Sequence, residues 1–245
     1  MTATVPDGEI VYAIGDVHGR SDLLTGLLAM VEHDSAPHET AKKTLIFLGD
    51  YVDRGPDSRG VIETLLHGLP EGFSTHFLKG NHEQLLLDFL KDPQQLDHWY
   101  LNGGKATLKS YGVDVDLYQN NGSAPEVWRD SFVEKLPPSH LAFLRRLDVQ
   151  HEVGDYFFVH AGVRPGVPLR AQNVHDLLWI RREFLGSSDS FGKVVVHGHT
   201  PVRDPVVRPN RIGIDTGAVF TGRLTALRLM KDDLSFLRRC QTNYS

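Results

Sequence analysis

The sequence predicts an α/β protein, and three observations carry that prediction. Six short apolar runs have strand composition: Ile10–Ile14, Thr44–Leu48, Thr75–Leu78, Tyr156–Val159, Val194–Val196 and Ile212–Ile214. Amphipathic helical patterns separate the first three. Each run stops at or within three residues of Gly, Asp, Asn or His, so polar chemistry gathers where the strands end.

Nearly continuous apolar runs predict strands covered on both faces. After the first run, Ser21 is placed to cap a helix over Asp22–Glu32, with Leu23, Leu24, Leu27, Leu28 and Val31 on one face. Ser58 is placed to cap Arg59–Leu66, and a third helix, Glu83–Leu90, follows Asn81-His82. The N-terminal third therefore reads β-α-β-α-β-α, which favours parallel pairing with right-handed crossovers. Residues 92 to 150 differ. Glycine-rich stretches (Asn102-Gly103-Gly104, Asn120-Asn121-Gly122) alternate with two helices, near Glu126–Leu136 and Ser139–Leu147. This reads as a helical excursion from the sheet. From Tyr156 onward strand and turn dominate, with further strands at Val206–Val207, Leu224–Met230 and Leu234–Arg238, the last two joined by a turn at Asp232-Asp233. At 245 residues the whole chain, 1–245, fits one domain.

Composition narrows the function classes. Hydrophobic content of 40% and charged content of 23% are those of a soluble globular protein. A net charge of −5 without a basic stripe argues against nucleic acid as the main partner. No apolar stretch is long enough to span a bilayer. Met1–Glu9 lacks the basic and apolar regions of a secretory leader. The single cysteine, Cys240, excludes an internal disulfide and a thiolate cluster. A cytoplasmic protein is the expectation. No coiled-coil seam appears, so the oligomeric state stays open.

Ligands of open sheets gather outside the carboxyl ends of parallel strands, where this chain concentrates its metal-binding residue types. Asp16 and His18 are two apart and face one way in extended backbone, although an isolated Asp-x-His is more often a turn. Asp50 has two oxygens, enough to bridge two cations about 3.5–4 Å apart. Asp53-Arg54 alone would be a surface ion pair of little energetic weight, but Gly55-Pro56 turns the chain there and keeps the pair near the strand end. Arg54 offers a planar fork to phosphoryl oxygens. Asn81 is a neutral hard ligand. His82, adjacent to it, should diverge toward substrate, unless both residues merely cap the next helix. His160 follows the fourth run. His197 and His199 share parity after the fifth, so spacing does not choose between them. His33, His38, His67, His98, His140 and His151 sit in polar sequence and need no special role.

Each motif is weak alone; their order is specific. The series D-x-H, G-D-x-x-D-R-G, G-N-H-E, H, G-H-T, within residues 10–217, resembles the calcineurin-like metallophosphoesterase superfamily. Gly49-Asp50-Tyr51-Val52-Asp53-Arg54-Gly55-Pro56-Asp57-Ser58 resembles its phosphoprotein phosphatase branch. His98–Gly104, Trp179-Ile180-Arg181 and Ile214–Phe220 are similar to the bacterial and phage lambda-type serine/threonine protein phosphatases.

The resemblance implies a metallophosphoesterase fold, two mixed sheets packed as a sandwich with helices outside, in four layers. It implies two divalent cations, Mn2+ first, with Fe or Zn as alternatives. Asp16, His18 and Asp50 match the ligands of the first, and Asp50, Asn81, His160 and His199 those of the second. His82 matches the catalytic acid and Asp53 the carboxylate orienting it. Arg54 and Arg181, with Asn81, match the phosphate-binding groups; Arg182 is the neighbour one residue of misalignment would substitute. Phe220 stands where the eukaryotic branch carries tyrosine. The implied reaction is in-line attack on phosphorus by hydroxide bridging the cations, with a phosphoprotein or small phosphomonoester as substrate. The alternative enzyme is a symmetrical dinucleoside tetraphosphatase. A non-catalytic scaffold is a third reading, disfavoured because every matched position is filled.

Overall fold

The computed structural model describes residues 3–241. Its strands are β1 (Glu9–Ile14), β2 (Lys42–Phe47), β3 (Phe73–Phe77), β4 (Gln150–Val153), β5 (Tyr156–Val159), β6 (Val194–His197), β7 (Val206–Arg208), β8 (Arg211–Gly213), β9 (Arg223–Met230) and β10 (Asp233–Cys240). Its α-helices are α1 (Ser21–Ser35), α2 (Ser58–His67), α3 (Asn81–Lys91), α4 (Leu96–Trp99), α5 (Lys105–Ser110), α6 (Val115–Asn120), α7 (Pro125–Lys135), α8 (Pro138–Arg145), α9 (Val174–Trp179), α10 (Arg182–Leu185) and α11 (Ala218–Thr221).

Two five-stranded mixed sheets form, ordered β10-β9-β1-β2-β3 and β4-β5-β6-β8-β7. In the first, β1, β2 and β3 are parallel, as the β-α-β reading predicts, while β9 and β10 run antiparallel. In the second, β5, β6 and β8 are parallel, and β4 and β7 close the edges antiparallel.

The period-two alternation of the strands sorts side chains into three interior layers. Ile10, Tyr12 and Ile14 face the helices α1, α2 and α3. Val11 and Ala13, with Ile46 and Leu48, meet Phe158, Val196 and Ile212 of the other sheet. Phe157, Val159 and Val195 point outward onto Leu177 of α9 and Phe184 of α10. Helix, sheet, sheet, helix is therefore the layer order, and the apolar runs are buried on both faces.

Several local expectations change. Asp57, not Ser58, caps α2, accepting from the Gly60 amide at 2.8 Å. Ser21 lies inside α1, and its hydroxyl donates to the same Asp57 at 2.6 Å. A carboxylate with two free oxygens thus ties two helix starts together. Helix α3 begins at Asn81, two residues earlier than predicted, because the Glu83 side chain returns to accept from the Gly80 amide at 2.9 Å. The β9–β10 turn falls at Lys231-Asp232, with Lys231 at φ 54°. Strand β4 is absent from the prediction; Gln150–Val153 is polar and half-exposed, as an antiparallel edge permits.

Residues 92 to 150 form more helices than the two predicted, five from α4 to α8. Trp99, Leu108, Tyr111, Trp128, Phe132 and Phe143 pack into the layer already holding α1, α2 and α3. His140 belongs here too. Contrary to the polar setting its sequence predicts, it is buried between the Tyr111 hydroxyl at 2.8 Å and Glu63 at 3.1 Å.

Candidate metal centre

The carboxyl ends of β1, β2, β3, β5 and β6 converge where the two sheets meet. Asp16 and His18 follow β1, Asp50 follows β2, Asn81 and His82 open α3 after β3, His160 follows β5 and His199 follows β6. All seven side chains are buried. The sequence-predicted residues are therefore brought together.

The backbone there is unusual. Of the six non-glycine residues with positive φ among the described residues, five are His18, Asp50, Asp53, Arg54 and His199. Such conformations cost energy and persist only where neighbours over-determine them. Here the neighbours are visible. The His18 amide donates to the Asp50 carbonyl at 2.8 Å, and the Arg54 amide donates to the Gly103 carbonyl at 3.1 Å. Glycine matters at two close approaches: a Cβ on Gly80 would run into the Asp50 carboxylate, and one on Gly198 into that of Asp16.

Asp50 sits at the centre. One of its oxygens lies 3.5 Å from His18 Nε2 and 3.8 Å from His82 Nε2. The other lies 3.5 Å from His160 Nε2. Two donor groups result, His18·Asp50·His82 and Asp50·His160·His199, each with ligand atoms within 4.8 Å of one another and sharing Asp50.

The ring tautomers suit ligation. His18 Nδ1 donates to the Val52 carbonyl at 2.9 Å and His160 Nδ1 to the Leu48 carbonyl at 2.8 Å. Each ring is thereby oriented with a bare Nε2, the usual arrangement of a ligating histidine. His160 Nε2 lies 2.9 Å from Asn81 Oδ1 and 3.2 Å from His199 Nδ1. A bare nitrogen facing an amide oxygen is repulsive unless positive charge sits between them.

Electrostatics point the same way. Burial pushes the His18 ring down to about 3, and lowers His160 and His199, so the three rings stay neutral. Burial, reinforced by the Asp215 and Asp50 charges, pushes Asp16 well above the usual carboxylate range; burial pushes Asp215 up to about 6. Asp50 differs: burial opposes its ionisation, but the His160, His82, His18 and His199 rings outweigh burial and hold it below the usual carboxylate range, and its charge helps raise the other two. A charged Asp50 beside two carboxyls that it pushes up is a site that divalent cations would relieve, so donor set and charge both fit such ions. Asp16 takes a distinct position: both its oxygens accept from the His199 amide, at 3.0 and 3.2 Å.

His82 differs from the other rings. Burial opposes its protonation, but the Asp50 and Asp53 carboxylates outweigh burial and hold its pKa above the ordinary histidine value. Its Nδ1 meets Asp53 Oδ2 at 2.7 Å. The two arginines flank the centre, Arg54 Nη1 at 2.7 Å from His18 Nε2 and Arg181 Nε donating to His199 Nε2 at 2.9 Å. Arg181, rather than Arg182, is the one that reaches it.

Sequence reasoning missed four supporting residues. Trp99 Nε1 donates to both oxygens of Asp53, at 3.0 and 3.1 Å, and the Thr107 hydroxyl donates to it at 2.6 Å. Glu83 accepts from the amides of Asp50, Tyr51, Val52 and Gly80 at 2.8–3.2 Å, pinning the Asp50 turn to α3. Asp215 accepts from the Gly217 amide at 2.8 Å behind Asp16. Glu83 closes the G-N-H-E motif, and its place three residues after Gly80 is the spacing of a carboxylate returning to a helix start.

Comparison with known proteins adds names to this geometry. The chain is 28% identical over 234 residues to an asymmetrical bis(5'-nucleosyl)-tetraphosphatase, PrpE, of Oceanobacillus iheyensis, covering 88% of this chain and 86% of the relative. A solved structure provisionally named a diadenosine tetraphosphatase superposes with a TM-score of 0.65 at 21% identity, over 98% of this chain and all of the other. A serine/threonine phosphatase from Saccharomyces cerevisiae superposes at 0.53 with 15% identity, over 97% and 82% of the two chains. At such identities the superpositions speak for fold alone. The model of the calcineurin-like phosphoesterases matches residues 10–232, a span that holds every donor described above, and the chain belongs to that family.

Proposed function

We propose that this chain hydrolyses dinucleoside polyphosphates at a centre of two divalent cations bridged by Asp50. One observation carries the two-cation reading: Asp50 turns one oxygen to His18 and the other to His160. Asp16, His18 and Asp50 would hold one cation, and Asp50, Asn81, His160 and His199 the other. When bound, such cations supply Lewis acidity and a water deprotonated near neutral pH. Mn2+ fits the mixed carboxylate, amide and imidazole donors, as do Fe and Zn.

The chain's own residues supply the rest. Arg54 and Arg181 fork onto the non-bridging oxygens, where charge concentrates during transfer. His82 is close enough to Asp50 to be a third ligand, but its raised proton affinity favours a donor instead. As the new P–O bond forms and the old one breaks, His82 gives its proton to the departing oxygen, and Asp53 neutralises the imidazolium beforehand. A single domain in the cytoplasm is the setting we infer; among the described residues no helix is long and apolar enough to cross a membrane.

The substrate class is supported by the names of relatives matching most of the chain, 28–29% identical and called asymmetrical tetraphosphatases. Those names favour asymmetrical cleavage over the symmetrical reaction that the sequence motifs put forward as an alternative. A second reading, a phosphoserine or phosphothreonine monoester, is favoured by the sealed His82–Asp53 pair, since an alkoxide needs a proton more than a nucleotide leaving group does. The test is Mn2+-loaded protein offered diadenosine tetraphosphate and a phosphoserine peptide, with products separated by chromatography. AMP with ATP is the expected result. Two ADP would make cleavage symmetrical, phosphate from the peptide alone would favour the second reading, and no product from either would sink the proposal.

A further inference from the structure

An open cavity of about 510 Å³ lies beside the metal centre, lined by Arg164, His175, Trp179, Arg181 and Glu183 among others. That volume falls in the range of small-ligand sites. Arg181 belongs both to the cavity and to the centre, because its Nε reaches His199. The half-buried Trp179 also spans the two. Its indole meets the His199 ring edge-on, at 6.2 Å between centroids and 82° between planes. The His175 ring, one helical turn earlier, lies nearly parallel to the indole, 23° apart with centroids at 6.4 Å. The Trp179 indole therefore touches one candidate cation ligand with its ring edge-on and lines, with Arg181, the cavity beside it.

We propose that this cavity is a nucleoside subsite, in which Trp179 stacks the base while Arg181 holds the adjoining phosphate. The inference deepens the dinucleoside polyphosphate reading and rests on it. Asymmetrical cleavage breaks the bridge beside one nucleoside's own phosphate, so that nucleoside sits on the reacting phosphorus or one phosphate from it and its base must lie close to the cations. An aromatic ring in contact with His199 is at that range. The indole offers the broadest face in the cavity, and base–aromatic stacking is sequence-tolerant and strong enough to dominate nucleoside affinity. Arg164 contributes indirectly: it pairs with Asp176 at 2.6 and 2.7 Å, fixing α9, which carries both rings. Glu183 offers a carboxylate at the rim, suited to ribose hydroxyls.

The test compares AMP with ribose 5-phosphate as inhibitors of p-nitrophenyl phosphate hydrolysis by the Mn2+-loaded protein. Ribose 5-phosphate carries an anomeric hydroxyl in place of the base, so the ratio of their inhibition constants reads the base's contribution, and its dependence on Trp179 reads the stacking, whatever the turnover of each variant. AMP is expected to inhibit at least tenfold more tightly in the native protein. Trp179→Ala should bring the ratio close to one, and Trp179→Phe should keep most of it. Quenching of tryptophan emission by AMP, but not by ribose 5-phosphate, should accompany the effect and vanish in Trp179→Phe. Equal inhibition by the two compounds, or a ratio that survives Trp179→Ala, would overturn the subsite. Failure of the wider reading looks different: the AMP preference would persist and depend on Trp179, while diadenosine tetraphosphate was left intact.

Discussion

His82 Nδ1 and Asp53 Oδ2 meet at 2.7 Å with both side chains shut away from solvent, and Asp53 is itself held by Trp99 and Thr107. The carboxylate cannot swing away, so the imidazole has one orientation and a stabilised cation. The Nε2 end is left toward Asp50 and the site.

If that ring delivers a proton, its removal should hurt most where the leaving group is a poor one. His82→Asn is expected to slow hydrolysis of a phosphoserine peptide by about 10²–10⁴-fold. The loss on p-nitrophenyl phosphate should be much smaller, since p-nitrophenolate leaves readily without a proton. Steady-state kinetics on both substrates make the comparison, and equal losses would argue against the acid role.

Asp50→Asn tests the bridge. The amide keeps the shape but loses the charge and one anionic oxygen, so both cations should be lost together with turnover. Elemental analysis after gel filtration should fall from two ions per chain toward none. A variant retaining both ions would contradict bridging.

Glu83 touches no proposed ligand atom, yet it should matter for stability. Burial, then the Asp50 charge, pushes its carboxyl up to about 7, and four amides converge on it. Glu83→Ala would leave those donors buried without partners, at a cost of about 3 kcal/mol or more. Urea unfolding measures this directly. A cost under 1 kcal/mol would mean that water enters to replace the carboxylate.

His140 predicts a pH effect far from the centre. Burial lowers its pKa below the usual histidine value and outweighs the opposing pull of Glu63. The neutral ring can accept from the Tyr111 hydroxyl through Nδ1 and donate to Glu63 through Nε2. Protonating Nδ1 would set two donors against each other. Below the unfolded value of about 6.5 the unfolded chain binds the extra proton first, so stability is lost as pH falls through the folded value. The stability gap between the native protein and His140→Gln should therefore be largest above pH 7 and shrink toward pH 5. A gap that widened with acidity would reverse the assignment.

The sequence by itself determined the frame and the residue types gathered at the strand ends. Strand runs, helix faces and the order of Asp16, His18, Asp50, Asn81, His160 and His199 are local features, written in residue type and short-range spacing. Parallel pairing of β1, β2 and β3 followed from the intervening helices. What the tertiary structure decided was everything that depends on partners far along the chain. Trp99 and Thr107 stand 46 and 54 residues beyond the Asp53 they anchor, and the left-handed backbone at Asp53 and Arg54 is held by those distant contacts. The choice of cap between Asp57 and Ser58, the burial of His140, and the single oxygen that Asp50 turns to each side also required packing. No residue's own identity encodes how much water its neighbours exclude, and that exclusion sets proton affinity, strain and cost at this site.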